Sequence, residues 1–252
     1  MSNISNRKIW LPIGVFLTLI FTWEVCVNIT KMPLYILPSP SKIVLALISE
    51  QSKLIMHGAV TLKETVIGLV IAAILAIVLA VIMDRFELFK TAIYPILVVS
   101  QTIPVIVLAP IFIIYLGFGI APKVLIVVLM CFFPIAVSFA DGMKQADLNQ
   151  VNLAKLFGAG NLKVYTLVKI PSALPSFFSG LKVAATYSIT GAVVGEWLSS
   201  NSGLGYYMLR AKNGFMLDKV FACVVVVVIL SLCMNGFVKL LEIGLMPYLR
   251  RR

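Results

Sequence analysis

Charge is scarce in this chain. Asp, Glu, Lys and Arg make up 12% of its 252 residues, about half the share of an ordinary soluble domain. Hydrophobic residues make up 61%, and the mean hydropathy is +1.05. This excludes a water-soluble globule and leaves too few polar residues for an added soluble domain, so the bilayer is the main solvent. The phosphate-cradling pattern GxxxxGK followed by Ser or Thr occurs nowhere, so any ATP-driven step needs a nucleotide site on another chain. Four cysteines, Cys26, Cys131, Cys223 and Cys233, lie in apolar runs without a CxxC pair. They read as small packing residues, neither disulfides nor metal ligands. The single His57 reads as a solvated loop residue. With no Ser/His/Asp set, no His/Cys/Asp/Glu cluster and no paired carboxylates, the expectation is no catalytic residue, no metal and no cofactor bound by this chain.

What is present is a series of long apolar runs. The formal net charge of +11 would suggest nucleic acid in a soluble protein. Here it reads as cytoplasmic loops beside anionic headgroups, with no nucleic-acid partner expected. Ile9 to Val27 reads as a first, uncleaved span with its N-terminus inside. Glu24 is expected near the outer interface, because a carboxylate at the bilayer centre costs roughly 2.5–3.5 kcal/mol. Residues 31–58 read as an outer segment in which Ser41, after Leu37-Pro38-Ser39-Pro40, caps a short helix. Thr61 to Met83 reads as the second span, entered by a short wet turn around Lys63 and Glu64. The stretch 84–90 turns the chain back.

Thr91 to Pro122 runs 32 residues without a charge. One straight helix of that length would reach about 48 Å, past the ~30 Å hydrocarbon core. Pro104 removes a backbone donor, so a break is expected near Ser100-Gln101-Thr102-Ile103-Pro104. Broken backbone at depth is tolerated against protein or a watery cavity. Ser100, Gln101, Thr102 and Pro104 are therefore candidates for a translocation path, or else groups bonded to a neighbouring helix. A fourth span ends near Ala140. A fifth, about Ser176 to Leu198, is dense in small residues that let helices approach closely. Glu196 at its outer end is a further pathway candidate, with Arg210 or Lys212 as possible partners. Residues 199–211 read as an outer loop turning at Gly203 and Gly205. Val220 to Val238 reads as the sixth span. The segments expected inside, 1–8, 84–90, 141–172 and 246–252, hold more Lys and Arg than those expected outside. Both termini are therefore expected in the cytoplasm.

Asp147 to Pro175 is a polar, Lys-bearing stretch between two apolar runs. It reads as two short helices hinged at Gly158-Ala159-Gly160. Asp147 caps the first, with Leu148, Val151 and Ala154 along one side. Gly158 takes the helix-ending position. Asn161 caps the second, with Leu162, Tyr165 and Val168 along its apolar side, and Pro171 and Pro175 end it. Such a hairpin cannot bury its own apolar face.

This stretch resembles the EAA loop of permease subunits of ATP-binding-cassette importers. The family pattern is Glu-Ala-Ala, three residues, Gly, nine residues, then Ile-x-Leu-Pro. Asn152, Leu153 and Ala154, then Gly158, then Val168, Ile170 and Pro171 keep that spacing. Ala154, Gly158 and Pro171 match by identity, whereas Asn152 and Leu153 depart from Glu-Ala. The LPSP segment is similar to the nitrate, sulfonate and taurine branch. The GEW…GLGYYM run of residues 195–208 is similar to permeases for thiamine-precursor pyrimidines and flavins.

The resemblance implies an all-α polytopic fold of about six transmembrane helices, of the type I importer class, as one permease domain over 1–252. It implies a coupling loop at about 141–172, whose Leu153, Phe157 and Leu162 pack on the ATPase. It also implies a second copy of the chain, two ATPase subunits carrying ATP and magnesium, an extracytoplasmic binding protein, and a place in the cell membrane. The rival readings are an ion-coupled secondary transporter, which needs charges embedded at mid-span, and a membrane enzyme or assembly factor.

Overall fold

A computed structural model describes residues 2–246, and the Arg250-Arg251-Arg252 end lies outside the described residues. Every regular element among them is helical. In chain order these are α1 (Ser2–Ile29), α2 (Pro40–Ser49), α3 (Gln51–Arg85), α4 (Glu87–Ser100), α5 (Val105–Leu116), α6 (Ile120–Lys144), α7 (Leu148–Leu156), α8 (Asn161–Val164), α9 (Ile170–Ser199), α10 (Leu204–Asn213) and α11 (Leu217–Leu245). Five segments are long and apolar enough to cross a membrane: Trp10–Ile29, Gln51–Arg85, Ile120–Lys144, Asn161–Leu198 and Leu217–Leu245. α4 and α5 make a sixth if taken together, bent by 100°. The expected break at residues 100–104 is there, with Pro104 extended at the start of α5, because its ring and missing N–H cannot continue the α4 ladder.

The centre of the bundle is α3, α6 and α9. Their contact is built from small side chains: Ala72 and Ala76 on α3, Cys131 and Ala136 on α6, Ala184, Ala185 and Ala192 on α9, all fully buried. Lipid tails are as apolar as Leu, so helices in a bilayer gain little by hiding apolar surface from water. They gain by close backbone approach, which small residues permit. Larger residues such as Ile135, Phe178 and Ile189 fill the remaining space. α1 stands at the edge, with Trp10, Phe16 and Phe21 exposed, and touches the rest through Trp23, tilted on Phe221, and through Glu24, which binds Ser41 of α2.

Several expectations need correction. The wet turn at Lys63 and Glu64 does not exist: α3 is continuous from Gln51, and Glu64 is buried inside it. Neither Ser41 nor Ser39 caps α2; the Glu24 carboxylate of α1 does. It accepts from the Ser41 backbone N–H at 2.9 Å and from the Ser41 hydroxyl at 2.8 Å, placing negative charge at a helix N-terminus. Residues 204–213 form α10, not a loop. Asn161 does not cap α8, whose N-cap is Gly160. Pro171 and Pro175 do not stop the second hairpin helix. α8 runs through a π-helical turn, Tyr165–Lys169, straight into α9. Pro171 opens α9 directly after that π-helical turn, whereas Pro175 is carried inside α9.

Candidate functional site

The hairpin comes first. Asp147 accepts from the Asn149 N–H at 2.8 Å and so caps α7, as its sequence position implies. Gly158 ends that helix at φ +78°, a left-handed conformation open to glycine at little cost. Val151, Val164 and Val168 are buried together, with Ala154 and Ala159 packed beside them. This small inner core holds α7 against α8. The outer face is bare: Leu153 is 54% exposed, Phe157 84% and Leu162 79%. Leu148, Leu156 and Leu167 are exposed too. Asn152 is exposed, Ile170 is half-buried, and Pro171 opens α9.

Polar contacts join the hairpin to the end of α3, beside the packing of Tyr165 and Ile170 on the bundle. Asp84, at the end of α3, receives the Tyr165 hydroxyl at 2.6 Å and the Lys169 ammonium at 2.5 Å. Because α8 continues into α9 without a break, a push on the hairpin reaches the central helix directly. Lys182 and Glu242, 2.5 Å apart, tie α9 to α11 further along.

The bend between α4 and α5 borders a cavity of about 700 Å³ lined by Ser100, Gln101, Pro104, Met130, Phe133 and Tyr187, among others. Ser100 donates to the Leu97 carbonyl and Thr102 to the Val99 carbonyl, each at 2.7 Å. Their hydroxyls thus serve the end of their own helix, and Thr102 does not line the cavity. Gln101 lines the cavity.

Glu196 is elsewhere. It is 1% exposed and pairs with neither Arg210 nor Lys212. Thr61 of α3 donates to its Oε1 at 2.7 Å, and the Gly205 N–H donates to its Oε2 at 2.6 Å. The Leu204 N–H donates to Thr61 Oγ1 at 2.9 Å, and the Gly203 N–H donates to His57 Nδ1 at 3.0 Å. Three successive backbone donors at the start of α10 are therefore taken by side chains of α3 and α9, where a helix leaves donors unpaired. Gly203, at φ +105°, leaves no room for a side chain, since a Cβ there would lie 2.2 Å from the Glu196 carboxyl. His57, expected in a solvated loop, is a buried acceptor stacked on Tyr207 at 5.2 Å. Beside this group Glu64 forms an ion pair with Lys123 of α6, and Lys123 also donates to Ser200 at 3.0 Å. Sequence reading missed Glu64, Lys123 and His57 because a lone charge near the end of an apolar run looks interfacial. The signal available was the GEW…GLG spacing itself, a carboxylate followed by glycines seven and nine residues on.

Comparison with known proteins decides between the readings. A family described as "binding-protein-dependent transport system inner membrane component" matches residues 68–245. The chain belongs to this family. It is 38% identical over 242 residues to the formylaminopyrimidine transport permease protein ThiX of Halalkalibacterium halodurans, with 96% of each chain covered. It is 30% identical to the riboflavin transport system permease protein RibX of Chloroflexus aurantiacus, covering 92% of this chain and 87% of that one. In fold it is similar to a chain of an amino acid ABC transporter solved with histidines, at TM-score 0.63 and 15% identity, covering 79% of this chain and 96% of that one. This ABC importer permease is thus an all-helical, multi-pass membrane protein, as its sequence implies. The secondary-transporter reading gives way on family membership. Glu64, Lys123 and Glu196 are buried in helices long enough to span, Lys123 and Glu196 close to the helix ends.

Proposed function

We propose that this permease carries a small heterocyclic solute, a formylaminopyrimidine or related thiamine-precursor pyrimidine, with flavins as the second choice, across the cell membrane. The relatives at 38% and 30% identity named for formylaminopyrimidine and riboflavin transport support this choice over sulfonate, nitrate or taurine. A separate extracytoplasmic protein delivers the solute, and a separate ATPase holds ATP and magnesium. Two copies of the chain enclose the pathway, with both termini and the hairpin on the cytoplasmic side.

The observation that carries the coupling role is the bare face of Leu153, Phe157 and Leu162 on a hairpin whose other face is packed. An apolar patch of that kind on a rigid support is a docking surface. ATP-driven closure of the ATPase pair brings the two hairpins together. Each hairpin pushes on α9 through the continuous α8–α9 helix and on α3 through Asp84. The spans then rock, and the cavity at Gln101 and Pro104 opens to alternate sides.

The experiment is affinity purification of the tagged chain from native membranes in mild detergent, with mass spectrometry of its partners. An ATPase and a binding protein are expected, and that binding protein is then titrated with formylaminopyrimidine, riboflavin and taurine. A chain that purifies intact as a dimer with no ATPase overturns the coupling role. Tight binding of taurine alone overturns the choice of substrate.

A further inference from the structure

Between the hairpin and the α3–α4 turn lies a crevice of about 420 Å³. Five cationic side chains line it: Arg85, Lys90, Lys144, Lys155 and Lys169. Only two carboxylates do, Asp84 and Glu87, and Asp84 is already held by Lys169 and Tyr165. Among the described residues no ion pair takes up Lys90, Lys144 or Lys155. Lys90 and Lys144 lie close enough to repel, and Asp141 and Asp84 offset part of that repulsion. The crevice sits between the end of α3 and the start of α4, two apolar helices long enough together with their neighbours to span a bilayer, and the ends of such helices meet lipid headgroups. Cations converging from four separate elements, α3, α4, α6 and α7, favour an anion with several acceptor oxygens over a single carboxylate.

We infer that this crevice binds a phosphate group, presented either as the headgroup of an anionic lipid or as a free phosphate anion, and that the bound group staples α7 of the hairpin to the ends of α3, α4 and α6. This goes beyond the coupling reading and stands independently of it, because it concerns the hairpin's attachment to its own bundle.

The test places the full-length chain in phosphatidylcholine nanodiscs and follows its thermal unfolding midpoint. One arm adds phosphatidylglycerol to the disc, and the other adds inorganic phosphate to the buffer. The wild type should rise in midpoint in one arm, and Lys90→Gln/Lys144→Gln should lose that rise. Lys42→Gln/Lys212→Gln, which removes the same charge far from the crevice, should keep it. Apparent affinity for the anion should fall about fivefold per lysine removed. A response to phosphatidylglycerol alone assigns the source to lipid, and a response to phosphate assigns it to the free anion. If the double variant does not fold, Lys155→Gln, exposed on α7, should show the smaller loss by itself. Equal midpoint rises in the wild type, the crevice variants and the Lys42/Lys212 variant overturn the proposal.

Discussion

The two ends of this bundle handle polarity in opposite ways. Around the start of α10, every strong polar group named above finds a partner inside the chain: Glu196 with Thr61 and Gly205, His57 with Gly203, and Lys123 with Glu64 and Ser200. At the hairpin the polar side is tied down at Asp84, while Leu153, Phe157 and Leu162 stay bare. The first region is built from contacts within one chain, whereas the apolar outer face of the hairpin is left uncovered by that chain, as the proposed docking requires. Substitutions should therefore act on stability at the first and on coupling at the second.

The largest expected effect is at the finished end. Lys123→Met leaves the Glu64 carboxylate buried without its cation, which should cost about 3–5 kcal/mol. Lys123→Met combined with Glu64→Leu should recover much of that loss, since both charges are gone. Thermal unfolding in detergent measures both, and equal losses in the single and double variants would break the account of the pair. At the bare end the opposite is expected. Gly158→Asp forces a side chain into a left-handed conformation, a strain of about 1–2 kcal/mol in the hairpin turn. With open space around it, membrane abundance should hold while solute uptake is lost, and wild-type uptake in that variant counts against the coupling role. Phe157→Ala should reduce ATPase co-purification with a stability change within about 0.5 kcal/mol, because the ring is 84% exposed. Tyr165→Phe sharpens the comparison at the joint between the two regions. It removes one hydrogen bond to the Asp84 carboxylate, about 1.5–3 kcal/mol, and should loosen the hairpin to proteolysis before the bundle unfolds.

The smallest effect is a pH dependence away from both regions. Lys219 at 2.5 Å, then Lys53 at 2.7 Å, hold the Glu50 carboxyl down to about 2. A carboxyl lowered on folding binds its proton more weakly in the folded state. Its contribution is thus fully present above about pH 4.5 and fades as pH falls toward 2. Glu50→Gln should flatten the unfolding midpoint across that window while leaving neutral-pH uptake unchanged.

Much of the fold was readable in the chain. Apolar runs of sufficient length gave the spans, Pro104 gave the break, and Gly158 with Asp147 gave the hairpin. Three of the errors share one cause. Glu64, His57 and the loop after Glu196 were all taken as wet because a polar residue at the edge of an apolar run has two solutions, water or a partner on another helix. The choice depends on residues distant in sequence: Thr61 lies 135 positions from Glu196, and His57 lies 146 from Gly203. The prolines of α9 misled for a local reason, since Pro171 opens the helix and Pro175 is carried inside it.

By itself, then, the sequence determined that this protein lives in a membrane, roughly where it crosses, where one span breaks, and that a spaced hairpin of the importer-permease pattern leaves the bilayer. These properties follow from local composition and backbone chemistry. Only the tertiary structure decided that Glu64 pairs with Lys123 and Glu196 with the start of α10, that α8 runs unbroken into α9, and that four elements bring their lysines and arginine to one crevice. Each of those depends on how distant helices are brought together in space, which no single segment encodes.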